Sequence, residues 1–294
     1  MRSGAPATVL FDAPGPRARA RHRALSMLAL AVVVLLFWAG YARLAAKGQL
    51  TVDKWAPFLT ADLWRTYVLP GLAGTLIAAA ASIGLALLLG ITLGVGRLSG
   101  ILPGRWGCAV AVEFFRAIPV LLMMIFAYFL YGLVGAFPPQ QLALAGVVTG
   151  LTLYNGAVIA EIVRAGVNGL PGGQSEAAAT LGLSWGATMR LVLLPQAVTA
   201  MVPVLVSQLV VVLKDTAIGY QITFVEMVRQ GTVVGSQYSN FLPALMVIAV
   251  LMIVGNFGLS ASAIRLERRL RRTRLTPLVA ALIEPEGTPG AQVV

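Results

Sequence analysis

The sequence predicts an all-α membrane protein with six transmembrane helices, and three observations carry that expectation. Hydrophobic residues make up 58% of the 294 residues and charged residues 11%, against about 25% charged in an ordinary soluble domain. Apolar runs near the length of about 20 residues that crosses a bilayer as a helix recur six times. Arginines crowd the two outer flanks of these runs. Arg17, Arg19, Arg21 and Arg23 precede the first, and Arg265, Arg268, Arg269, Arg271, Arg272 and Arg274 follow the last. Positive charge accumulates on the cytoplasmic side, so both termini are expected in the cytoplasm, which requires an even number of spans.

The first run, Leu25 to Leu44, is too long for a signal-peptide core and reads as an uncleaved anchor. The polar stretch from Lys47 to Tyr67 carries Asp53, Asp62 and Trp64 and is expected to be external and interfacial. The second span runs from Gly71 to about Gly96, before a short loop marked by Arg97 and Arg105. The third, Pro119 to Val134, follows an interfacial stretch with Glu113 and Arg116. Pro138-Pro139 then turns the chain outside. The fourth is Leu142 to Val163, and the polar stretch Arg164 to Arg190 is cytoplasmic by alternation. The fifth is Pro195 to Leu213, followed by an external segment from Lys214 to Asn240. The sixth is Phe241 to Ile264, and residues 275–294 are expected to be a disordered tail. Gly90 and Gly94 form one G-x-x-x-G and Gly146 and Gly150 another. Small residues at this spacing let helices approach closely in lipid, within the bundle or at a dimer seam.

The inventory excludes much chemistry. One cysteine, Cys108, and one histidine, His22, leave no disulfide framework, metal cluster or Cys/His pair. No phosphate-binding G-x-x-x-x-G-K-[ST] loop exists, so a subunit other than this one must bind ATP if ATP drives transport. The net charge of +11 is accounted for by the flanking arginines, and no nucleic-acid role is expected. Gly182-Leu183-Ser184-Trp185-Gly186 matches the G-x-S-x-G nucleophile pattern, but no histidine or lysine lies near enough to serve as its base. No catalytic and no metal-binding residues are expected.

The informative stretch lies between Pro171 and Pro195. Pro171-Gly172-Gly173 breaks the fourth helix. Gln174 to Leu181 can form a short helix with Glu176 in its first turn, where negative charge is favoured. Gly182 suits the left-handed position that closes it, and Ser184 can cap a second helix running to Leu194. Three alanines, Ala177 to Ala179, keep the first helix slim. A helix–Gly–helix outside the membrane calls for a protein partner against which to bury its apolar side.

Glu176-Ala177-Ala178, Gly182, Val192, Leu194 and Pro195 reproduce the spacing E-A-A, three residues, Gly, nine residues, I-x-L-P, with Val for Ile. This resembles the coupling motif of bacterial ABC importer permeases. Asn155-Gly156-Ala157, Ala160-Glu161-Ile162 with Arg164, Leu194-Pro195-Gln196-Ala197, Lys214-Asp215-Thr216 and Leu266-Glu267-Arg268-Arg269 are similar to patterns of the polar-amino-acid subfamily. Glu113-Phe114-Phe115-Arg116-Ala117-Ile118-Pro119 departs from the usual E-x-F-R-G-T-P. The resemblance covers about 70–275, and the extra first span, the tails and Gly219-Tyr220-Gln221-Ile222 are most like actinobacterial glutamate permeases.

The resemblance implies a type I ABC importer permease fold with a cytoplasmic coupling helix. The chain would then comprise a basic cytoplasmic tail (1–24), an extra span with its external segment (25–69), the permease domain (70–269) and a cytoplasmic tail (270–294). It implies a multi-pass subunit of the cell membrane that imports a polar amino acid, glutamate in particular, and performs no covalent chemistry. The implied partners are ABC ATPase subunits that bind ATP and Mg, a second permease chain and an extracytoplasmic solute-binding protein. Glu176, Ala177, Ala178, Gly182, Val192 and Pro195 would meet the ATPase.

Candidate residues for the substrate path are Asn155, Glu161, Gln208, Lys214 and Asp215. Glu161 and Arg164 can pair at i,i+3, structurally or as a gate. Asn155 would hydrogen-bond a neighbouring helix or the substrate. Lys214 and Asp215 end a span that rises roughly 28 Å from Pro195, and they would receive an amino acid or anchor the helix. Glu226 and Arg229 read as a solvated i,i+3 pair. A secondary transporter or channel without an ATPase is the alternative, but it gives no reason for the coupling-loop spacing.

Overall fold

The computed structural model describes residues 15–283, which are helical throughout their regular structure. The chain forms two compact units, Met1–Pro57 and Phe58–Val294. The first contains α1 (Pro16–Ala46) and the short α2 (Val52–Trp55). Helix α1 is 31 residues long and apolar enough to cross a membrane. It begins on a proline, whose missing N–H belongs to the donors a helix start leaves free. It ends where Gly48 adopts φ +64, so that Gln49 N donates to Leu44 O at 2.9 Å and Gly48 N to Ala45 O at 3.0 Å.

The second unit holds α3 (Ala61–Leu63), α4 (Leu69–Arg97), α5 (Leu102–Ala117), α6 (Val120–Val134), α7 (Pro139–Asn168), α8 (Gly173–Thr180), α9 (Trp185–Thr188), α10 (Leu194–Asp215), α11 (Met227–Gln237) and α12 (Phe241–Ile283). Two of the expected span starts lie inside longer helices. A π-helical turn, Trp64–Val68, joins α3 to α4 in one 37-residue helix, Ala61–Arg97. A second, Met189–Leu193, joins α9 to α10. Each turn ends just before a proline, Pro70 or Pro195. Proline has no N–H for the usual i−4 bond, and the chain widens by one residue: Leu69 N donates to Trp64 O and Leu194 N to Met189 O.

The third span begins where expected, with α6 at Val120–Val134 and a separate helix, α5, over the stretch read as interfacial. Helix α6 has only 15 residues, roughly 22 Å, which is short of the hydrocarbon thickness. It forms a span only with α5, from which it is bent by 100°. The break between the two helices is local. Ile118 precedes Pro119 and is driven to extended backbone, φ −89 and ψ 129. Among the described residues five helices are long and apolar enough to cross a membrane, six if the bent pair counts as one. At the far end α12 remains helical to Ile283, so residues 275–283 are helix where a disordered tail was expected. The helix-forming run Leu278 to Ile283 favours that continuation over a break at Pro277. Residues 284–294 lie outside the described residues.

Helix α7 is the centre of the bundle, and both glycine pairs serve it. A Cβ on Gly90 would lie 2.5 Å from Ile159 Cγ2, and one on Gly94 would lie 2.8 Å from Val163 Cβ. These two glycines therefore press α4 directly onto α7. Reciprocally, a Cβ on Gly156 would meet Leu89 at 2.9 Å. On another face of α7, a Cβ on Gly150 would meet Met124 of α6 at 2.6 Å. The G-x-x-x-G pairs are packing faces within the chain and are filled by its own helices. Around them Met124, Val147, Leu151 and Val212 form one buried cluster, and Ala86, Ile159, Val163, Ala197 and Met201 another.

The bundle's dependence on these contacts is directly measurable. Gly90→Ala should destabilise the purified chain by about 1–3 kcal/mol, the usual cost of overpacking. Gly84→Ala in the same helix has nothing within 4 Å of the added atom and should be neutral or stabilising, by up to about 1 kcal/mol. Thermal unfolding followed by size-exclusion chromatography separates the two. Equal midpoints for both variants would contradict the packing account.

Candidate functional site

The segment between α7 and α10 folds as its residues require. Helix α8 closes on Gly182, whose φ is +72. Gly182 N donates to Ala179 O at 2.9 Å and Leu183 N to Ala178 O at 3.1 Å, the pair of bonds that satisfies the last carbonyls of a helix. Ser184 Oγ then accepts from Ala187 N at 3.4 Å and caps α9. That serine is thus occupied as a cap. Only Ala178 of α8 is buried. Glu176 and Ala177 face solvent, Leu181 is 79% exposed and Trp185 46% exposed. Gln196 Nε2 donates to Gln174 Oε1 at 3.2 Å and ties α8 back to α10. Val192 is half-buried within the π-turn and Pro195 exposed just beyond it. A short helix with a solvent-facing outer side, followed by the exposed apolar Leu181 and Trp185, is thereby held at one end of the bundle.

Above it stands an ionic corner. Glu161 Oε1 accepts from Arg164 NH2 at 2.5 Å, the i,i+3 pair expected from the spacing. The spacing did not reveal its second partner: Arg97 of α4 donates to Glu161 Oε2 at 2.7 Å and to Glu113 of α5 at 3.3 Å. The Arg97 side chain is only 12% exposed, so this group joins α4, α5 and α7 in one place. The partners lie 64 and 16 residues from Arg97, beyond the reach of any periodicity.

Deeper in the bundle Asn155 is fully buried. Its Nδ2 donates to Leu151 O at 2.9 Å, and its Oδ1 accepts from Gln208 Nε2 at 2.7 Å. Two of the candidate path residues are therefore bonded to each other, across α7 and α10. Lys214 and Asp215 are not joined to them: they end α10 at the opposite end of the bundle from α8, with Lys214 exposed and Asp215 half-buried.

The segment after α10 is folded, with a 3₁₀ turn at Thr216–Ile222 and then α11. Glu226 is not half of a solvated pair. It is fully buried and caps α11, its two oxygens accepting from Val228 N at 2.7 Å and Arg229 N at 2.5 Å. The spacing to Arg229 pointed to the side chain, whereas the bond goes to that residue's backbone. Burial pushes the carboxyl up to about 7, against the opposing pull of the two backbone donors. Met227 N donates to Thr75 Oγ1 at 3.2 Å and seats this cap on α4.

Bundled helices long and apolar enough to cross a membrane, with an exposed helical segment leaving the central one, are those of a polytopic membrane protein. Residues 86–272 match the family of binding-protein-dependent transport system inner membrane components, and the chain belongs to that family. It is 51% identical over 249 residues to the glutamate transport system permease protein GluD of Corynebacterium glutamicum, covering 85% of this chain and 91% of that one. It is 32% identical over 205 residues to the arginine transport system permease protein ArtQ of Bacillus subtilis, covering 70% and 93%. Among solved structures it is similar to an amino acid ABC transporter crystallised with histidines, with TM-score 0.62 and 29% identity over 68% of this chain and 92% of that chain. The inward-facing MetNI methionine ABC transporter shares the fold, with TM-score 0.55 and 23% identity over 70% and 95%. The chain is accordingly a multi-pass ABC importer permease.

Glu226 gives the fold a pH dependence of definite sign. Its carboxyl titrates near 7 when folded and near 4.5 when exposed, so the folded state binds the proton more tightly. Its contribution is complete below about pH 4.5 and is lost as pH rises through about 7. The loss is on the order of 3 kcal/mol. Glu226→Gln should remove this slope from thermal midpoints recorded between pH 5 and 8. A slope that persists in the variant would assign it to another group.

Proposed function

We propose that this chain is the membrane subunit of an ATP-driven glutamate importer and that α8 docks into its ATPase. The observation that carries this reading is α8 itself, rigidly closed at Gly182 and carrying Glu176, Ala177 and Ala178. Leu181 and Trp185 supply exposed apolar surface for a partner. ATP and Mg belong to the ATPase, and this subunit is assigned no cofactor and no covalent chemistry. The working assembly is two permease chains, two ATPase copies and an extracytoplasmic solute-binding protein, with no nucleic acid. We assign both termini and α8 to the cytoplasm, a reading supported by the flanking arginines.

The geometry supports a route for the stroke. Helix α7 enters the docking segment and α10 leaves it, and the Asn155–Gln208 bond ties the two at mid-bundle. A displacement of α8 therefore moves both helices as one body. The salt bridges of Glu161 to Arg97 and Arg164 pass it on to α4. Opening and closing of the ATPase pair would in this way alternate the access of the path. Asn155 has its amide committed to Leu151 and Gln208, so in our reading it acts as a joint. Lys214, exposed beside Asp215 at the mouth, is assigned the first charge-assisted contact with an acidic substrate.

Two experiments test these assignments. Gly182→Val forces a β-branched residue to φ +72, costing about 1 kcal/mol or more. The chain should insert normally while substrate-stimulated ATPase activity of the complex falls; full activity would sink the docking role. For the cargo, uptake of labelled glutamate should be competed by glutamate and aspartate. In a complex of unchanged abundance, Lys214→Gln should raise the half-saturating concentration about tenfold or more, as expected for one charge-assisted bond. Competition by arginine alone would overturn both the cargo and the role of Lys214.

A further inference from the structure

A cleft of about 650 Å³ opens where α5 crosses the ends of α4 and α7, and the transport reading makes no use of it. Arg97, Arg105, Trp106, Glu113, Phe114 and Arg164 line it. Arg97 and Arg164 are committed to Glu161 and Glu113, and Arg116 lies 4.0 Å from Glu113. The Arg105 side chain makes no ion pair among the described residues. Four arginines therefore face two glutamates, and the corner keeps an excess of positive charge centred on Arg105.

An apolar groove of about 670 Å³ adjoins this cleft along α5 and α6, lined by residues that include Leu122, Phe126 and Leu130. Phe114 lines both hollows, so one ligand with a charged end and an aliphatic end could occupy them together. Helix α5 is set at 100° to α6; with the short α6 running along the bilayer normal, α5 lies close to the membrane plane and completes that end of the span at headgroup level. Trp106, 67% exposed beside Arg105, has the amphipathic ring that favours this depth.

We infer that this corner binds one anionic phospholipid of the leaflet on the α8 side. Its phosphate lies against Arg105, with Arg164 behind, and an acyl chain follows Phe114, Phe126 and Leu130. A zwitterionic headgroup would bring a further positive charge to an already basic cleft, so the anionic lipid is the better match. A soluble anion would leave the apolar groove unfilled. The site is independent of which cargo is carried.

Native mass spectrometry of the full-length chain, in the assembly that purifies from its membrane, tests this. The complex is released from nanodiscs holding equal phosphatidylglycerol and phosphatidylcholine, and its bound lipids are counted. The wild type should retain phosphatidylglycerol preferentially. Arg105→Gln should cut that retention about fivefold, while Arg105→Lys keeps most of it. Phe126→Ser should also reduce it, and millimolar inorganic phosphate should not displace it. Equal retention of the two lipids, or retention untouched by Arg105→Gln, would overturn the proposal. Displacement by inorganic phosphate, or no response to Phe126→Ser, would replace the lipid by a soluble anion and equally overturn it.

Discussion

The architecture depends on how closely α4 and α6 can approach α7. Lipid tails are as apolar as leucine, so burying apolar surface between helices gives little driving force inside a bilayer. Association must come from close van der Waals packing and from polar bonds shielded from water. Gly90, Gly94, Gly150 and Gly156 supply the first, since an added Cβ at any of them would fall within 3 Å of a neighbouring helix. With α7 seated by these contacts, Asn155 and Glu161 acquire fixed positions. The segment that leaves its end, α8, acquires a fixed origin.

Polar bonds supply the second kind of cohesion, and they sit where helices need a defined register. Asn155 with Gln208 joins α7 to α10, and Glu161 with Arg97 joins α7 to α4. A buried amide or carboxylate without a partner is costly, so each bond penalises sliding of one helix along the other. These bonds are few, and they lie between helices that are stiff along their length. The two π-turns add a contrasting feature. Each widens a helix beside a proline, one before α4 and one directly behind α9. The second of these stands between the exposed segment and the membrane part of α10.

The most local features were legible before any fold was known. Gly182 in the left-handed region, Ser184 as a cap, and α8 at Gly173–Thr180 against an expected 174–181 all follow from interactions spanning six residues or fewer. The Glu161–Arg164 pair is of the same kind. The features that were missed depend on tertiary packing. Glu226 was paired with the side chain of Arg229, whereas it is buried beside α4 and caps the backbone of α11. The third span was expected at Pro119–Val134 after an interfacial stretch, and α6 and α5 occupy those places, but the angle between them rests on how both pack against α7. Ile118, held extended before Pro119, separates the two helices locally, but the 100° between them is a property of the packed bundle.

What the sequence by itself determined is the apolar length of the helices, their caps and breaks, and the exposed segment between α7 and α10 with its seven spaced residues. These depend on backbone geometry and on contacts between near neighbours in the chain. Only the tertiary structure decided that the glycine pairs face α7 within the same chain. It alone decided that Asn155 is answered by Gln208, 53 residues away, and that Arg97 closes an ionic corner with Glu161 and Glu113. Such partners meet because helices cross at a given angle and height, and in a membrane those are set by the packing of small residues, which leaves no period in the sequence linking one partner to the other.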